Sequence, residues 1–231
     1  MISFSLFGVH VKIHPSIWVT LALMAYMLGR GEHGWLGGAL FVVAGFICIF
    51  AHEMGHALSG RWLGGGRPLV ELAYVGGVCT NNVSQLSRAG TIIMIAAGPL
   101  TSLALTLPAF AWLYSIDCSA YRAMLRMLSM LYGIMPAHLV EAYPPMIVLF
   151  VTYVVQVSLW WSLLNLLPIY PLDGGMIMHN LIHSPRVMHI VSMAVAVLLI
   201  AGCLCMGYHA MLCILVILIL LNYHGMKNAP Y

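Results

Sequence analysis

Two histidines four residues apart, with a glutamate beside the first, carry the clearest chemical signal in the chain: His52-Glu53-Met54-Gly55-His56. On a helix, residues four apart share a face, so both imidazoles can grip one zinc ion. Glu53 then stands where it can take a proton from water at that ion. A catalytic zinc site ordinarily takes three protein ligands and keeps one position open. The candidate third ligand is Asp173, in Asn165-Leu-Leu-Pro168-Ile-Tyr-Pro171-Leu-Asp173-Gly174-Gly175; the only other aspartate is Asp117. Asn165 lies one turn before the prolines, on a stripe with Ser158 and Ser162. Its amide can donate to the oxyanion formed when hydroxide attacks a peptide carbonyl. Interhelical hydrogen bonding is the alternative role for such residues.

The elements that must position these groups lie in lipid. Apolar residues make up 62% of the 231 residues and charged residues 6%, with a mean hydropathy of +0.99. A soluble domain carries about a quarter charged residues, so this chain cannot cover a water-facing exterior. At about 20 apolar residues per crossing, the length suits roughly five to seven helices. The net charge of +3 is spread in ones and twos, which excludes a nucleic-acid stripe. The six cysteines form no C-x-x-C pair and read as small apolar packing residues. Lys12 is the only basic residue before the first apolar run and no small-residue cleavage site follows it. A retained first crossing is expected, not a cleaved signal.

Six hydrophobic segments are expected: Pro15–Gly29, Gly38–Leu63, Ala89–Tyr114, Met146–Leu167, and two within Val187–Tyr223 separated by a turn near Gly207. The histidine motif falls in the second. Pro168 and Pro171 cannot donate to the carbonyls of Leu164 and Leu167, so the fourth helix must break before Asp173. Broken backbone at membrane depth is tolerated where it lines a protein-walled cavity. Pro68–Gln85 reads as a short hairpin around Gly76-Gly77. Asp117–Tyr143, with Met124, Leu125, Leu128 and Leu131 at helical spacing beside Arg122 and Arg126, reads as an interfacial amphipathic helix. With the N-terminus inside, Lys12, Arg61, Arg67, Arg88, Arg186 and Lys227 are cytoplasmic, against Arg30, Arg122 and Arg126 outside. The tryptophans fall mostly near helix ends, as interface anchors do.

Together, His52-Glu53-x-x-His56 in a membrane helix and the distant Asn165-x-x-Pro-x-x-Pro-Leu-Asp173-Gly-Gly resemble the site-2 protease family of intramembrane metalloproteases. Ala97-Gly98-Pro99-Leu100 extends the resemblance, which covers most of the chain. The Lys12-Ile-His14-Pro15 start and the six-segment layout are similar to the sporulation-type branch, which releases a membrane-held sigma-factor precursor. The resemblance implies one zinc ion per chain on His52, His56 and Asp173, with Glu53 as base. It also implies that Val70–Thr80 forms a membrane-dipping hairpin or loop near the site. Three departures are visible. Thr101-Ser102 stand where many members have Asn, no PDZ-like insertion fits between the motif helices, and a C-terminal nucleotide-sensing domain is not expected.

The expected architecture is therefore an all-α polytopic membrane protein of about six transmembrane helices, with a short membrane-associated β-hairpin or loop and a broken fourth helix. It is expected to be a single metalloprotease domain over 1–231: an N-terminal segment and first helix (1–37), catalytic core helices (38–175) and a C-terminal helix pair (176–231). The expected function is zinc-dependent hydrolysis of peptide bonds within or near transmembrane segments of membrane-anchored proteins. Edge pairing along Val75, Gly76, Gly77 and Val78 would hold the unwound substrate. The expected partners are a membrane-anchored substrate, a sigma-factor precursor or an anti-sigma factor, and a membrane regulatory protein, with no nucleic acid. The expected location is the cell (inner) membrane, with termini and site toward the cytoplasm. A zinc transporter or metal sensor is the rival reading, for which His179, His183, His189 and His209 would supply extra ligands. A transporter has less need of a glutamate beside a two-histidine site.

Overall fold

The computed structural model describes all residues except 29–33, 75, 117–145, 183, 207–211 and 229–231. The expected amphipathic helix over Asp117–Tyr143 and the turn near Gly207 lie outside the described residues. Seven α-helices and four β-strands are present among those described, in two compact units.

The first unit opens with a hairpin that the apolar composition masks. Strands β1 (Ile2–Leu6) and β2 (Val9–Ile13) are joined through Phe7 and Gly8, whose φ values are 50° and 74°. Two successive positive φ angles characterise the tight hairpin turn whose twist suits antiparallel strands. Val9, Val11 and Ile13 alternate inward and are buried, the two-residue period of a strand with one covered face. β2 runs parallel to β3 (Leu69–Ala73), pairing Lys12 with Glu71, and β3 pairs antiparallel with β4 (Gly76–Thr80). The sheet order is β1-β2-β3-β4. The expected hairpin of Pro68–Gln85 is thus present, as the far half of a four-stranded sheet. Lys12 and Glu71 form a 3.0 Å ion pair across the parallel strands.

Helices α1 (Ser16–Leu28), α2 (Gly34–Trp62), α3 (Arg88–Ile116) and α4 (Met146–Asn165) follow the expected apolar runs. The sheet packs on α1 and α2 through Val9, Val11, Val70 and Leu72 against Ile17, Leu21, Ile49 and Met54. α2 and α3 approach closely because Gly55 carries no side chain: a Cβ there would collide with Thr101 and the Ala97 carbonyl. Small residues at such contacts let membrane helices meet backbone to backbone. α3 and α4 are joined by hydroxyls, Thr106 Oγ1 lying 2.6 Å from Ser158 Oγ, while Ser162 donates to the Pro99 carbonyl at 3.2 Å. Ser158 and Ser162 therefore serve interhelical bonding.

The second unit starts within the last turn of α4 and continues into a short break. Helix α5 (Asp173–Leu181) resumes immediately after the two prolines, followed by α6 (Pro185–Met206) and α7 (Leu212–Asn228). Ile169 of the break is fully buried with Ala196 of α6 and Leu215 of α7. Gly174 and Gly175 let the start of α5 lie against the preceding backbone. A Cβ at 174 would meet the carbonyls of Leu166 and Leu167, and one at 175 would meet Ile169 and Tyr170.

Among the described residues, four helices are long and apolar enough to cross a membrane: α2, α3, α4 and α6. α1 and α7 contain shorter apolar stretches, Ser16–Tyr26 and Ile214–Asn228. The chain is a multi-pass membrane protein.

Candidate metal and catalytic centre

In the first unit, His52, Glu53 and His56 all face inward on α2, at 2%, 5% and 8% exposure. Three ionisable groups in an apolar helix are costly; one charged side chain at mid-bilayer costs roughly 3 kcal/mol even on insertion scales. Their surroundings show what compensates.

Both imidazoles are held from behind by α3. His56 Nδ1 lies 3.0 Å from the Met94 carbonyl. A carbonyl only accepts, so Nδ1 carries the proton and the lone pair sits on Nε2. His52 Nδ1 lies 3.1 Å from Ser102 Oγ, whose own hydroxyl is directed to the Gly98 carbonyl at 3.4 Å. Ser102 thereby accepts from His52, which places that ring's lone pair on Nε2 as well. The two Nε2 atoms stand 3.2 Å apart, with the rings at 83°. Two nitrogens bound to one tetrahedral zinc at about 2.0–2.1 Å stand roughly 3.3 Å apart. Two imidazole nitrogens facing one point at that spacing fit a divalent metal. The hydrogen bonds behind them are the kind that fix the tautomer of a ligating histidine.

Gly98 completes the cradle, because a Cβ at that position would strike the His56 ring. That collision gives the Ala97-Gly98-Pro99-Leu100 stretch a physical reason. Trp161 of α4 stands edge-on to His52, with ring centroids 6.4 Å apart.

β4 covers the other side. A Cβ at Gly77 would collide with Cγ and Cδ of Glu53, and one at Gly76 would press on the Trp161 ring at 3.2 Å. The glycine pair lets an edge strand pass directly over the glutamate, its outer side paired with no other strand of the sheet. Val78 of the same strand is exposed; Val75 lies outside the described residues. Cys79, next along, has its thiol pushed up to about 12, first by burial and then by the Glu53 charge, against a hydrogen bond from Asn81.

In the second unit, Asn165 ends α4 and Asp173 begins α5. Of the other histidines raised above, His189 is buried and hydrogen-bonded to Asn222 at 2.9 Å. The His179 ring is tilted at 58° to that of Tyr170, with centroids 6.4 Å apart. His183 and His209 lie outside the described residues. The described cysteines Cys48, Cys79, Cys203 and Cys205 are free thiols.

Ser102, the Met94 carbonyl and Gly98 are the residues that reading the sequence did not bring to the site. Ser102 stands at a departure from the family pattern and gave no ligand-like signal. The Met94 contact is made by backbone and has none to give.

Residues 40–206 match the profile of peptidase family M50. The chain belongs to that family. Among curated relatives, Rip3 of Mycobacterium tuberculosis, in strains H37Rv and Erdman, is named as a zinc metalloprotease. It is 30% identical over 179 residues, 73% of this chain and 40% of Rip3. The chain thus spans about two fifths of that relative's length. The solved structure of the site-2 protease from Methanocaldococcus jannaschii shares the fold. Its TM-score is 0.58 at 19% identity, covering 98% of this chain and 93% of that one. In this M50 member, His52 and His56 of α2 offer two ring nitrogens at a spacing that one metal ion could bridge. Zinc is the metal the family implies.

Proposed function

We propose that this M50 member is an intramembrane zinc endopeptidase that cleaves membrane-anchored proteins within or near their transmembrane segments, in regulated intramembrane proteolysis. The observation that carries the reading is the pair of Nε2 atoms 3.2 Å apart, each ring pinned at Nδ1 by α3. His52, His56 and Asp173 hold one zinc ion per chain. Asp173 supplies the carboxylate that a two-histidine half-site needs. When bound, zinc supplies the Lewis-acid charge that acidifies water and polarises the scissile carbonyl.

The chain's own groups do the rest. Glu53 takes the proton of the attacking water and returns it to the leaving amine. Asn165 donates its amide to the oxygen that gains charge. β4, through Gly76, Gly77 and Val78, together with Val75 ahead of it in the sequence, pairs with an unwound substrate segment along its open edge and holds the peptide extended above Glu53. α1 and α7 join the four longer helices to make six crossings, with termini and site toward the cytoplasm of the cell membrane. The basic residues favour that orientation six to three. Substrates of the class are single-span proteins such as a sigma-factor precursor or an anti-sigma factor, under a membrane regulator.

The test is cleavage of candidate single-span substrates by purified wild type and Glu53→Gln, with metal analysis of both. The variant is expected to retain one zinc and lose cleavage. Proteolysis at the wild-type rate would remove Glu53 from the base role.

A further inference from the structure

The polypeptide between α4 and α5 would be hard to hold in place by its own bonds. It contains two prolines, and its carbonyls and amides fall outside regular helix. It is instead tied at one residue, through the peptide groups on either side of it, to both C-terminal helices. The amide of Tyr170 donates to Ser192 Oγ of α6 at 3.0 Å, and the carbonyl of Tyr170 accepts from Asn222 Nδ2 of α7 at 2.6 Å. Asn222 Nδ2 also donates to the Leu218 carbonyl at 2.8 Å. Its Oδ1 is then the acceptor that faces His189 Nδ1 of α6 at 2.9 Å. Ser192 in turn donates to the Met188 carbonyl at 2.9 Å.

Asn222 and Ser192 are fully buried and His189 nearly so. An asparagine in the interior of an apolar helix pair is retained at a cost unless each of its polar atoms is satisfied. Here each one is, and two of its three bonds are spent on something other than its own helix. Helix approach is adapted to the arrangement, because a Cβ at Gly225 would strike the His189 ring. The Tyr170 ring also stands edge-on to His189, with centroids 5.7 Å apart.

Three residues beyond Tyr170 comes Asp173. The connection is stiff: Pro171 fixes its own φ, Leu172 N bonds to the Ile169 carbonyl at 2.8 Å, and Met176 N to the Leu172 carbonyl at 2.8 Å. A displacement of the Tyr170 backbone passes to the first residue of α5 with little slack to absorb it.

We infer that Asn222, His189 and Ser192 are positioning residues for Asp173: the α6–α7 pair clamps the backbone of Tyr170 at both its amide and its carbonyl and so sets where that carboxylate is presented. The inference rests on Asp173 being a metal ligand, as proposed above. It makes the C-terminal helix pair part of the metal site's support and gives the buried His–Asn pair a purpose beyond packing.

The experiment measures zinc affinity of the full-length protein in lipid nanodiscs by chelator competition, together with the thermal midpoint of the metal-free protein. The set comprises wild type, Asn222→Ala, Ser192→Ala, Ser192→Thr, Asp173→Asn and the two alanine changes in the Asp173→Asn background. Asn222→Ala is expected to weaken zinc binding by about tenfold or more, within the range for removing a support behind a ligand. Ser192→Ala should weaken it several-fold, and Ser192→Thr, which keeps the hydroxyl, should restore it. In the Asp173→Asn background neither alanine change should weaken binding further, since the carboxylate they position is gone. Should Asn222→Ala fail to fold, Ser192→Ala and its threonine rescue decide the question. Wild-type affinity in the alanine variants, or an undiminished effect in the Asp173→Asn background, overturns the inference and leaves the ligand assignment standing. Wild-type affinity in Asp173→Asn itself overturns the ligand assignment and the inference with it.

Discussion

Gly77 of β4 lies so close over Glu53 that no side chain fits between the strand and the carboxylate. The same glycine therefore serves two neighbours: it lets the strand pass, and it leaves the glutamate where its helix puts it. Gly77→Val adds bulk that either lifts β4 or pushes the carboxylate aside. Misplacement of a reacting group by about 1 Å costs on the order of a hundredfold in rate. Cleavage by this variant should fall by about that factor while bound zinc stays at the wild-type level, measured by metal analysis of the assayed sample. Activity close to wild type would show that the strand and the glutamate do not constrain each other.

Ser102→Ala removes the group that receives the His52 Nδ1 proton and leaves the second histidine's support, the Met94 carbonyl, untouched. Zinc affinity should drop about tenfold or more, in line with loss of a hydrogen bond behind a ligating imidazole. Cleavage should return as free zinc is raised, and Ser102→Thr should behave like wild type. Unchanged affinity in chelator titrations would separate His52 orientation from Ser102.

The Cys79 thiol is pushed up to about 12, by burial and then by the charge of Glu53. Because the raised value disfavours thiolate, the reactive fraction at pH 8 is about a thousandfold below that of an unperturbed thiol. Alkylation of Cys79 by iodoacetamide should be correspondingly slow and should rise with pH up to about 12. Glu53→Gln deletes the smaller of the two causes, so it should speed the reaction while leaving it far below an exposed cysteine. A rate in Glu53→Gln equal to wild type would mean the carboxylate and the thiol do not sense each other.

Much of the scaffold could be read from residue pattern. The apolar runs mark α1 to α4 and the C-terminal pair because lipid exposure demands them. The break before Asp173 follows from prolines that cannot continue a helix, and α4 does stop at Asn165. The β1–β2 hairpin is not among the sequence expectations although its alternation is plain: Ile2, Phe4 and Leu6, then Val9, Val11 and Ile13, about a Phe-Gly turn. In so apolar a chain, attention to long hydrophobic runs hides a five-residue one. The histidines and Glu53 announce themselves by type and spacing. The groups that aim the rings do not, because a backbone carbonyl and a lone serine carry no distinguishing pattern until α2 and α3 are packed together.

Placement of the first thirteen residues has a practical side for anyone expressing this protein. They precede the first helix and look dispensable to a membrane domain. Yet β2 is the parallel neighbour of β3 and contributes Val9, Val11 and Ile13 to the interior beneath it. Trimming the gene to the start of α1 would strip half the sheet and bare the inner edge of the strand pair that crosses Glu53. A fusion joined directly ahead of Ile2 would crowd an outer strand.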